Sequence, residues 1–318
     1  MPIAASPLLV VLGPTGAGKG ELAILLAEAF GGEIVNCDSI QVYRGLEIGA
    51  SKIPAAARRG IPHHLISTIG PQEELTAGAY ARLARRVIGE ITQRGRIPIV
   101  AGGTGFYLRA LLAGLAPAPE RDEALRARLR RIAERRPASL HYLLRKHDPE
   151  AARRIHPHDH QKLIRALEMM RLAGRPASAT QSQPRQALEG YAVLKLGLAP
   201  QRASLYSRLN ERSERMFREG LLEEAHALLV SGVPPDSKPL RSLGYKQAVQ
   251  VLRGQMPLAE AIHECQTKTR QYAKRQFTWF RSEPEVRWLP GFGTEPEMQR
   301  LFLKEAETFL APFRNPHD

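Results

Sequence analysis

Apolar positions along this chain follow two periodicities, and their alternation predicts its architecture. Residues 8–12 (LLVVL) form an unbroken apolar run with the length of a buried strand; EIVN at 33–36, IPIV at 97–100 and VLKLGL at 193–198 read the same way. Between these runs the period becomes helical, over 21–30 and again over 77–94. Strands alternating with helices predict an α/β fold, a mainly parallel sheet flanked by helices. From residue 118 the strand signal stops. Leu125, Leu129 and Ile132 recur at helical spacing, as do Leu163, Leu167 and Met170, which predicts a helical insertion before the sheet resumes. A Ser/Gln/Pro-rich stretch, 177–186, reads as a linker. After the last strand helices are expected to dominate. Phe217, Leu221, Ala225 and Leu228 form one apolar stripe, and another helix begins within 240–247. Ile262, Cys265, Tyr272 and Trp279 share a stripe expected to face the core. The expected division is 1–117 for the first part of the core, 118–189 for the insertion, and 190–318 for the second part of the core with C-terminal helices. No internal repeat and no long heptad series interrupts this scheme.

The chemistry gathers at the turns that follow the strands. The first run feeds into Gly13, Pro14, Thr15, Gly16, Ala17, Gly18, Lys19 and Gly20, with a helix directly after. Strand, glycine-rich loop and helix make a P-loop: backbone N–H groups converge on phosphate oxygens, the helix N-terminus adds partial positive charge, and Lys19 supplies a full one. The pattern normally ends in Lys followed by Ser or Thr, whose hydroxyl ligates Mg²⁺. Gly20 stands there instead, so the motif itself offers no metal ligand. The second run delivers Asp38 to its carboxyl end, the edge where ligands sit in open parallel sheets. Asp38 is expected to share a crevice with Lys19, either as a Mg²⁺ ligand or as a general base; the alternative is a turn or N-cap residue. The third run ends in AGGTG at 101–105, whose small residues admit a ligand or a neighbouring backbone, with Thr104 and Arg109 as candidates to touch it. The region 43–75 reads as loop with a short helix. Neither its pair His63–His64 nor the tract His156, His158, His160 has a companion ligand cluster, and no metal role is expected for them.

Charge narrows the partner. Among 318 residues, 46 Lys and Arg oppose 32 Asp and Glu, a net +14 that points to a polyanion such as nucleic acid. Fifteen Lys and Arg against eight Asp and Glu lie between residues 120 and 175, so the insertion carries half of that excess. There Gln161 and Arg165 stand one helical turn apart with Lys162 adjacent, a face suited to phosphate or base contacts. The stretch 268–281 (KTRQYAKRQFTWFR) is basic throughout, includes Lys274 and Arg275, and interleaves aromatic residues. Two cysteines imply no disulfide framework, and no stretch reads as a signal sequence or membrane span, so a cytoplasmic, non-membrane protein is expected.

In order along the chain, GPTGAGKG, DSIQVYRGLEIG, HHLI, AGGTGFYLRALL, HPHDHQKLIRALEMMRLAGRP, GLLEEAHALL, RSLGYKQA and TRQYAKRQFTWFR resemble one family, the tRNA dimethylallyltransferases or tRNA isopentenyltransferases. The resemblance implies a P-loop core with a helical insertion, and transfer of a dimethylallyl group from dimethylallyl diphosphate to N6 of the adenosine at position 37 of tRNA, next to the anticodon. By similarity the loop from Gly13 to Gly20 holds diphosphate with Mg²⁺ as cofactor. Asp38 serves as base, and Lys19, Thr104 and Arg109 complete the catalytic set. Asp38, Ser39, Ile40, Gln41 and Thr104 surround the adenosine, while Gln161, Lys162, Leu163, Ile164, Arg165, Arg241, Lys246, Lys274 and Arg275 contact the anticodon stem-loop. A monomer is expected. The chain departs from the family at Gly20, at Lys162 where Arg is usual, at Ala50 for Thr and at Cys37 for Ala. A nucleotide or small-molecule kinase remains the rival enzyme reading, and an RNA-binding member with impaired catalysis the non-enzymatic one.

Overall fold

One sheet of six parallel strands organises the computed structural model, which describes residues 5–181 and 184–313. In chain order its elements are β1 (Ser6–Leu12), α1 (Lys19–Phe30), β2 (Gly32–Asn36), β3 (His63–His64), α2 (Ala77–Gln93), β4 (Ile97–Ala101) and α3 (Gly105–Leu112). The strand order is β3-β2-β4-β1-β5-β6, where β5 (Tyr191–Leu198) and β6 (Val286–Leu289) come from the chain beyond the insertion. β1 therefore lies between β4 and β5, pairing Val10 with Val100 on one side and with Lys195 on the other.

Alternation along β1 assigns its side chains to two covered faces. Leu9 and Val11 pack with Leu22 and Leu26 of α1 and with Met298 and Phe302 of the last helix, Pro296–Leu310. Leu8, Val10 and Leu12 are buried on the opposite face, where Val10 and Leu12 lie near Leu108 of α3 and Phe280. Burial on both faces is why these strands read as continuous apolar runs. All the turns that carry chemistry leave the carboxyl edge of this sheet.

The chain forms two compact units, Met1–Leu112 with Leu188–Asp318, and Ala113–Ala187. In the first, the chain that leaves after Leu112 is closed at its return by the Leu188 amide, which donates to the Leu112 carbonyl at 2.8 Å. The second unit holds α4 (Glu123–Arg135), α5 (Ser139–His147), α6 (Pro149–Arg154), α7 (His160–Ala173) and α8 (Ala177–Gln181) around Leu129, Leu140, Leu144, Leu163 and Leu167. Asp122, Asp148 and Asp159 cap α4, α6 and α7 through their side chains. Glu168 is fully buried, and its carboxylate accepts from Arg165 at 2.6 Å, Arg126 at 3.3 Å and the Asp122 amide at 2.8 Å.

The C-terminal helices are α9 (Arg202–Arg218), α10 (Leu221–Val230), α11 (Tyr245–Leu252), α12 (Leu258–Arg281) and α13 (Pro296–Leu310). Several expectations change here. The stripe Phe217–Leu221–Ala225–Leu228 belongs to two helices, because Gly220 at φ 107 breaks the rod between α9 and α10. The buried line of α12 is Ala261, Cys265, Thr269, Ala273, Gln276 and Phe280, with Tyr272 and Trp279 only half-buried at its margin. Small residues let this helix pack closely, which the larger side chains of the expected stripe would prevent. His63 and His64 form edge strand β3, paired with Ile34 and Val35, rather than loop. The expected linker begins as α8, anchored by fully buried Ala177; residues 182 and 183 of it lie outside the described residues. β6 and α13 carried too weak a pattern to be anticipated.

Candidate active site

The loop after β1 is a cradle of unused donors. Gly18, at φ 85, is the N-cap of α1, and the amides of Gly16, Gly18, Lys19 and Gly20 meet no protein acceptor among the described residues. Lys19 Nζ folds back to the Pro14 carbonyl at 2.8 Å. Burial lowers the Lys19 pKa to about 8, with the Asp38 carboxylate opposing that shift and the Arg212 guanidinium reinforcing it. The three groups, of alternating charge, thus lie within electrostatic reach of one another. Arg212, on α9, donates to Thr15 Oγ1 at 2.9 Å; its own pKa is held down by burial, and its Nε has no partner among the described residues.

Two contacts from distant chain segments fix the cradle. The Thr15 amide donates to Gln276 Oε1 at 2.8 Å, and Gln276 Nε2 donates to the Gly103 carbonyl at 2.7 Å. Gln276 is therefore a staple between the loops after β1 and β4. Gly103 must lack a side chain, since a Cβ there would stand 2.4 Å from that Nε2. On the other flank the Gly293 amide donates to the Ala17 carbonyl at 2.8 Å, and a Cβ on Gly293 would meet the Gly18 carbonyl oxygen at 2.4 Å.

Asp38 is held by a turn of its own making. Its Oδ1 accepts from the amides of Ile40 at 2.8 Å and Gln41 at 3.3 Å, while Oδ2 accepts no hydrogen bond among the described residues. One oxygen builds the turn, as the structural reading of this residue expects, and the other accepts nothing among the described residues. Thr104 Oγ1 accepts from the Ser39 amide at 3.0 Å and the Thr104 amide donates to the Cys37 carbonyl at 3.1 Å, tying this turn to the loop after β4. Behind Asp38 the Cys37 thiol is pushed up to about 12 by burial and is inert at neutral pH. Burial and the Asp38 charge keep Tyr272 protonated as well. Leu65 and Ser67, which bracket the site, hold φ of 58 and 50, backbone strain of the kind concentrated at functional sites. The Asn36 amide group binds the Leu65 carbonyl at 2.9 Å and the Ser67 amide binds the Gln41 carbonyl at 2.9 Å.

Lys19, Asp38, Ser39, Ile40, Gln41 and Thr104 are thus brought together with the P-loop. Arg109, expected at the leaving group, has its guanidinium 4.3 Å from the centroid of the Trp279 ring. The guanidinium at the P-loop is that of Arg212, which sequence reasoning missed because α9 carries many charges and nothing marks one as inward. Gln276 was likewise hidden inside a basic stretch. Arg109, Lys274, Arg275, Gln271, Thr278 and Trp279 line a groove of about 680 Å³ along α12. Arg241, Lys246, Lys274 and Arg275 are exposed on the same compact unit. In the helical unit Gln161 and Lys162 are exposed, but Leu163 and Ile164 are buried in its core and Arg165 is engaged by Glu168 and by the Pro119 carbonyl. Leu163 and Ile164 lie on the face of α7 that packs into this core, and the Leu163 amide is already bonded to the Asp159 carbonyl at 2.9 Å.

A phosphate cradle facing a carboxylate at the edge of a parallel sheet defines the site of a P-loop group-transfer enzyme. The IPP transferase family model matches residues 41–283. A tRNA dimethylallyltransferase of Solibacter usitatus is 54% identical over 96% of this chain and 99% of its own length, and one of Koribacter versatilis is 52% identical over 91% and 94%. Among solved structures, the full-length tRNA isopentenylpyrophosphate transferase of Bacillus halodurans aligns with a TM-score of 0.70 at 36% identity over 96% of each chain. A eukaryotic dimethylallyltransferase described as acting on tRNA aligns at TM-score 0.81 and 28% identity, over 96% of this chain and 80% of that one. The chain belongs to the IPP transferase family. No helix among the described residues is long and apolar enough to cross a membrane.

Proposed function

We propose that this protein transfers a dimethylallyl group from dimethylallyl diphosphate to N6 of the adenosine at position 37 of tRNA, next to the anticodon. The observation that carries the reading is the juxtaposition of a cationic, amide-lined cradle with the free Oδ2 of Asp38. An adenine N6 is a weak nucleophile, since its lone pair is delocalised into the ring. Reaction therefore needs the C1–O bond of the allylic diphosphate to loosen while N6 approaches and gives up a proton. Lys19, Arg212 and the free amides of the P-loop stabilise the negative charge that develops on the departing diphosphate. Asp38 accepts the N6 proton as the N6–C1 bond forms, and diphosphate leaves. Ser39, Ile40, Gln41 and Thr104 surround an adenine taken out of its stack. Exposed Arg241, Lys246, Lys274 and Arg275, with Arg109 over Trp279, supply cationic contacts to the anticodon stem-loop, and Gln161, Lys162 and Arg165 add a polar face from the helical unit.

Mg²⁺ fits this site as an ion that travels with the diphosphate. Position 20 has no hydroxyl, and the space a side chain would take is filled: a Cβ there would lie 2.5 Å from Ile53 Cδ1. Among the described residues no three His, Cys, Asp or Glu gather to hold a cation. When bound, Mg²⁺ would be held through the diphosphate and water rather than by a side chain, and would supply charge neutralisation at the leaving group.

Incubation of the protein with dimethylallyl diphosphate, Mg²⁺ and an adenosine-bearing anticodon stem-loop, followed by mass spectrometry, yields N6-dimethylallyladenosine. Absence of that product, with ATP displacing the prenyl diphosphate, would restore the kinase reading.

A further inference from the structure

Helix α10 carries a carboxylate whose partners lie on the loop that follows the Asp38 turn. Glu224 Oε2 accepts from the amides of Glu47 at 2.8 Å and Ile48 at 2.9 Å, and Oε1 accepts from the Gly49 amide at 3.2 Å and from the Tyr245 hydroxyl. Successive amides converging on one anion form a nest, the arrangement that elsewhere seats a phosphate. Here the protein fills the nest itself. The fit is close, because a Cβ on Gly49 would lie 2.3 Å from Tyr245 Cε2.

From the nest the chain passes directly to Ala50 and Ser51, whose carbonyls receive Gln41 Nε2 at 3.1 and 3.4 Å. Ser51 is held at φ 49, a left-handed conformation that serine keeps only when its surroundings impose it. Buried Lys52 pins the far end of the loop, donating to the Tyr43 carbonyl at 2.7 Å, Glu47 Oε1 at 2.8 Å and Ser67 Oγ at 2.7 Å. Gln41 in turn gives its amide to Asp38 Oδ1. A continuous path of hydrogen bonds and short peptide segments therefore joins Glu224 to the turn that sets Asp38.

We propose that Glu224 is a positioning residue for the acceptor side of the site. It touches neither reacting group; it fills the amide nest at 47–49, which sets the Ala50 and Ser51 carbonyls that hold Gln41. This inference rests on the reading of residues 38–41 as the turn that receives adenosine. Without the carboxylate three converging amides lose their acceptor, the strained Ser51 conformation relaxes, and Gln41 is released. The diphosphate side is fixed separately by Gln276 and Gly293, so the two substrates should feel the change unequally.

The test compares the full chain with its Glu224→Ala, Glu224→Gln and Tyr245→Phe variants, reading KM for an anticodon stem-loop hairpin, KM for dimethylallyl diphosphate, and amide hydrogen exchange. Glu224→Ala should raise the hairpin KM about tenfold and leave the diphosphate KM within about twofold. Glu224→Gln, which keeps an acceptor oxygen, should recover most of the loss, and Tyr245→Phe should produce a smaller shift in the same direction. In Glu224→Ala the amides of residues 40, 41 and 47–49 should exchange faster while that of Thr15 stays protected. Parallel movement of both KM values, no rescue by Gln, or unchanged exchange at 40 and 41 would overturn the proposal. A parent chain that makes no modified adenosine would defeat the proposed reaction instead, and the exchange measurement would still decide the role of Glu224.

Discussion

Gln276 links the two glycine-bearing loops of the cradle, and its loss has a size that follows from its contacts. The side chain is buried, accepting from Thr15 N at 2.8 Å and donating to Gly103 O at 2.7 Å. Gln276→Met keeps the volume but strands one backbone donor and one acceptor out of reach of solvent. Each stranded group costs about 1–3 kcal/mol, so the pair amounts to about 2–6 kcal/mol. In a chain of this size that corresponds to a fall of about 3–9 °C in Tm. Gln276→Glu is the sharper variant. Its carboxylate still accepts from Thr15 but faces the Gly103 carbonyl without a proton, and it brings negative charge to a site that receives an anion. The expected order is therefore wild type, Met, Glu for affinity toward dimethylallyl diphosphate, with hairpin affinity much less affected. Thermal unfolding followed by circular dichroism, with titration of diphosphate by calorimetry, measures both. If Gln276→Glu bound diphosphate as well as the parent, with unchanged Tm, the assignment of this residue as the staple of the cradle would be refuted.

Four further outcomes follow. Lys19 has its pKa lowered to about 8 in the unliganded fold, so diphosphate affinity should weaken as pH rises through 8, and binding above that pH should take up a proton; calorimetry in buffers of different ionisation enthalpy reads the uptake. The same group makes the unliganded fold gain stability between about 8 and 10.5, because there the unfolded chain binds the proton that the buried amine has released. Asp38→Asn keeps an oxygen for the Ile40 and Gln41 amides, so hairpin binding should persist while single-turnover rate falls by about 10²–10⁴; equal loss of binding would make Asp38 only a structural residue. Gly20→Thr should destabilise the protein by about 1–3 kcal/mol in urea unfolding through overpacking against Ile53, and Ile53→Ala in the same chain should recover it. Additive effects in that double-mutant cycle would rule out the contact.

Much of this molecule was legible before any coordinates, for reasons that differ between its parts. The strands at 8–12, 33–36, 97–100 and 193–198 announced themselves because both sheet faces are covered, and the P-loop because its glycines answer a local backbone requirement. Asp38 and Thr104 followed from the rule that ligands occupy the carboxyl edge. Arg212, Gln276, Glu224 and Gly293 were not legible. Each acts across 170 residues or more of chain, and local periodicity carries no record of such a partner. The same limit explains α12: a line of small residues that ends in Gln276 and Phe280 packs more closely than the stripe with Tyr272 and Trp279 beside it, yet reads as a weaker apolar pattern. Nor does the pattern announce the partner of Arg109, which the helix that begins at Gly105 carries against Trp279.

The staple also fixes when the site comes into being. Thr15 and Gln276 are 261 residues apart, so a ribosome working at about 5–20 residues per second finishes the P-loop on the order of 10–50 s before its anchor emerges. During that interval β1 has gained β4 but waits for β5 until the whole insertion has been made. The part of the sequence that most resembles a finished binding motif is thus among the last to become one. A nascent or truncated chain that stops short of α12 therefore carries its glycine-rich loop without the Gln276 contacts that tie it to Gly103.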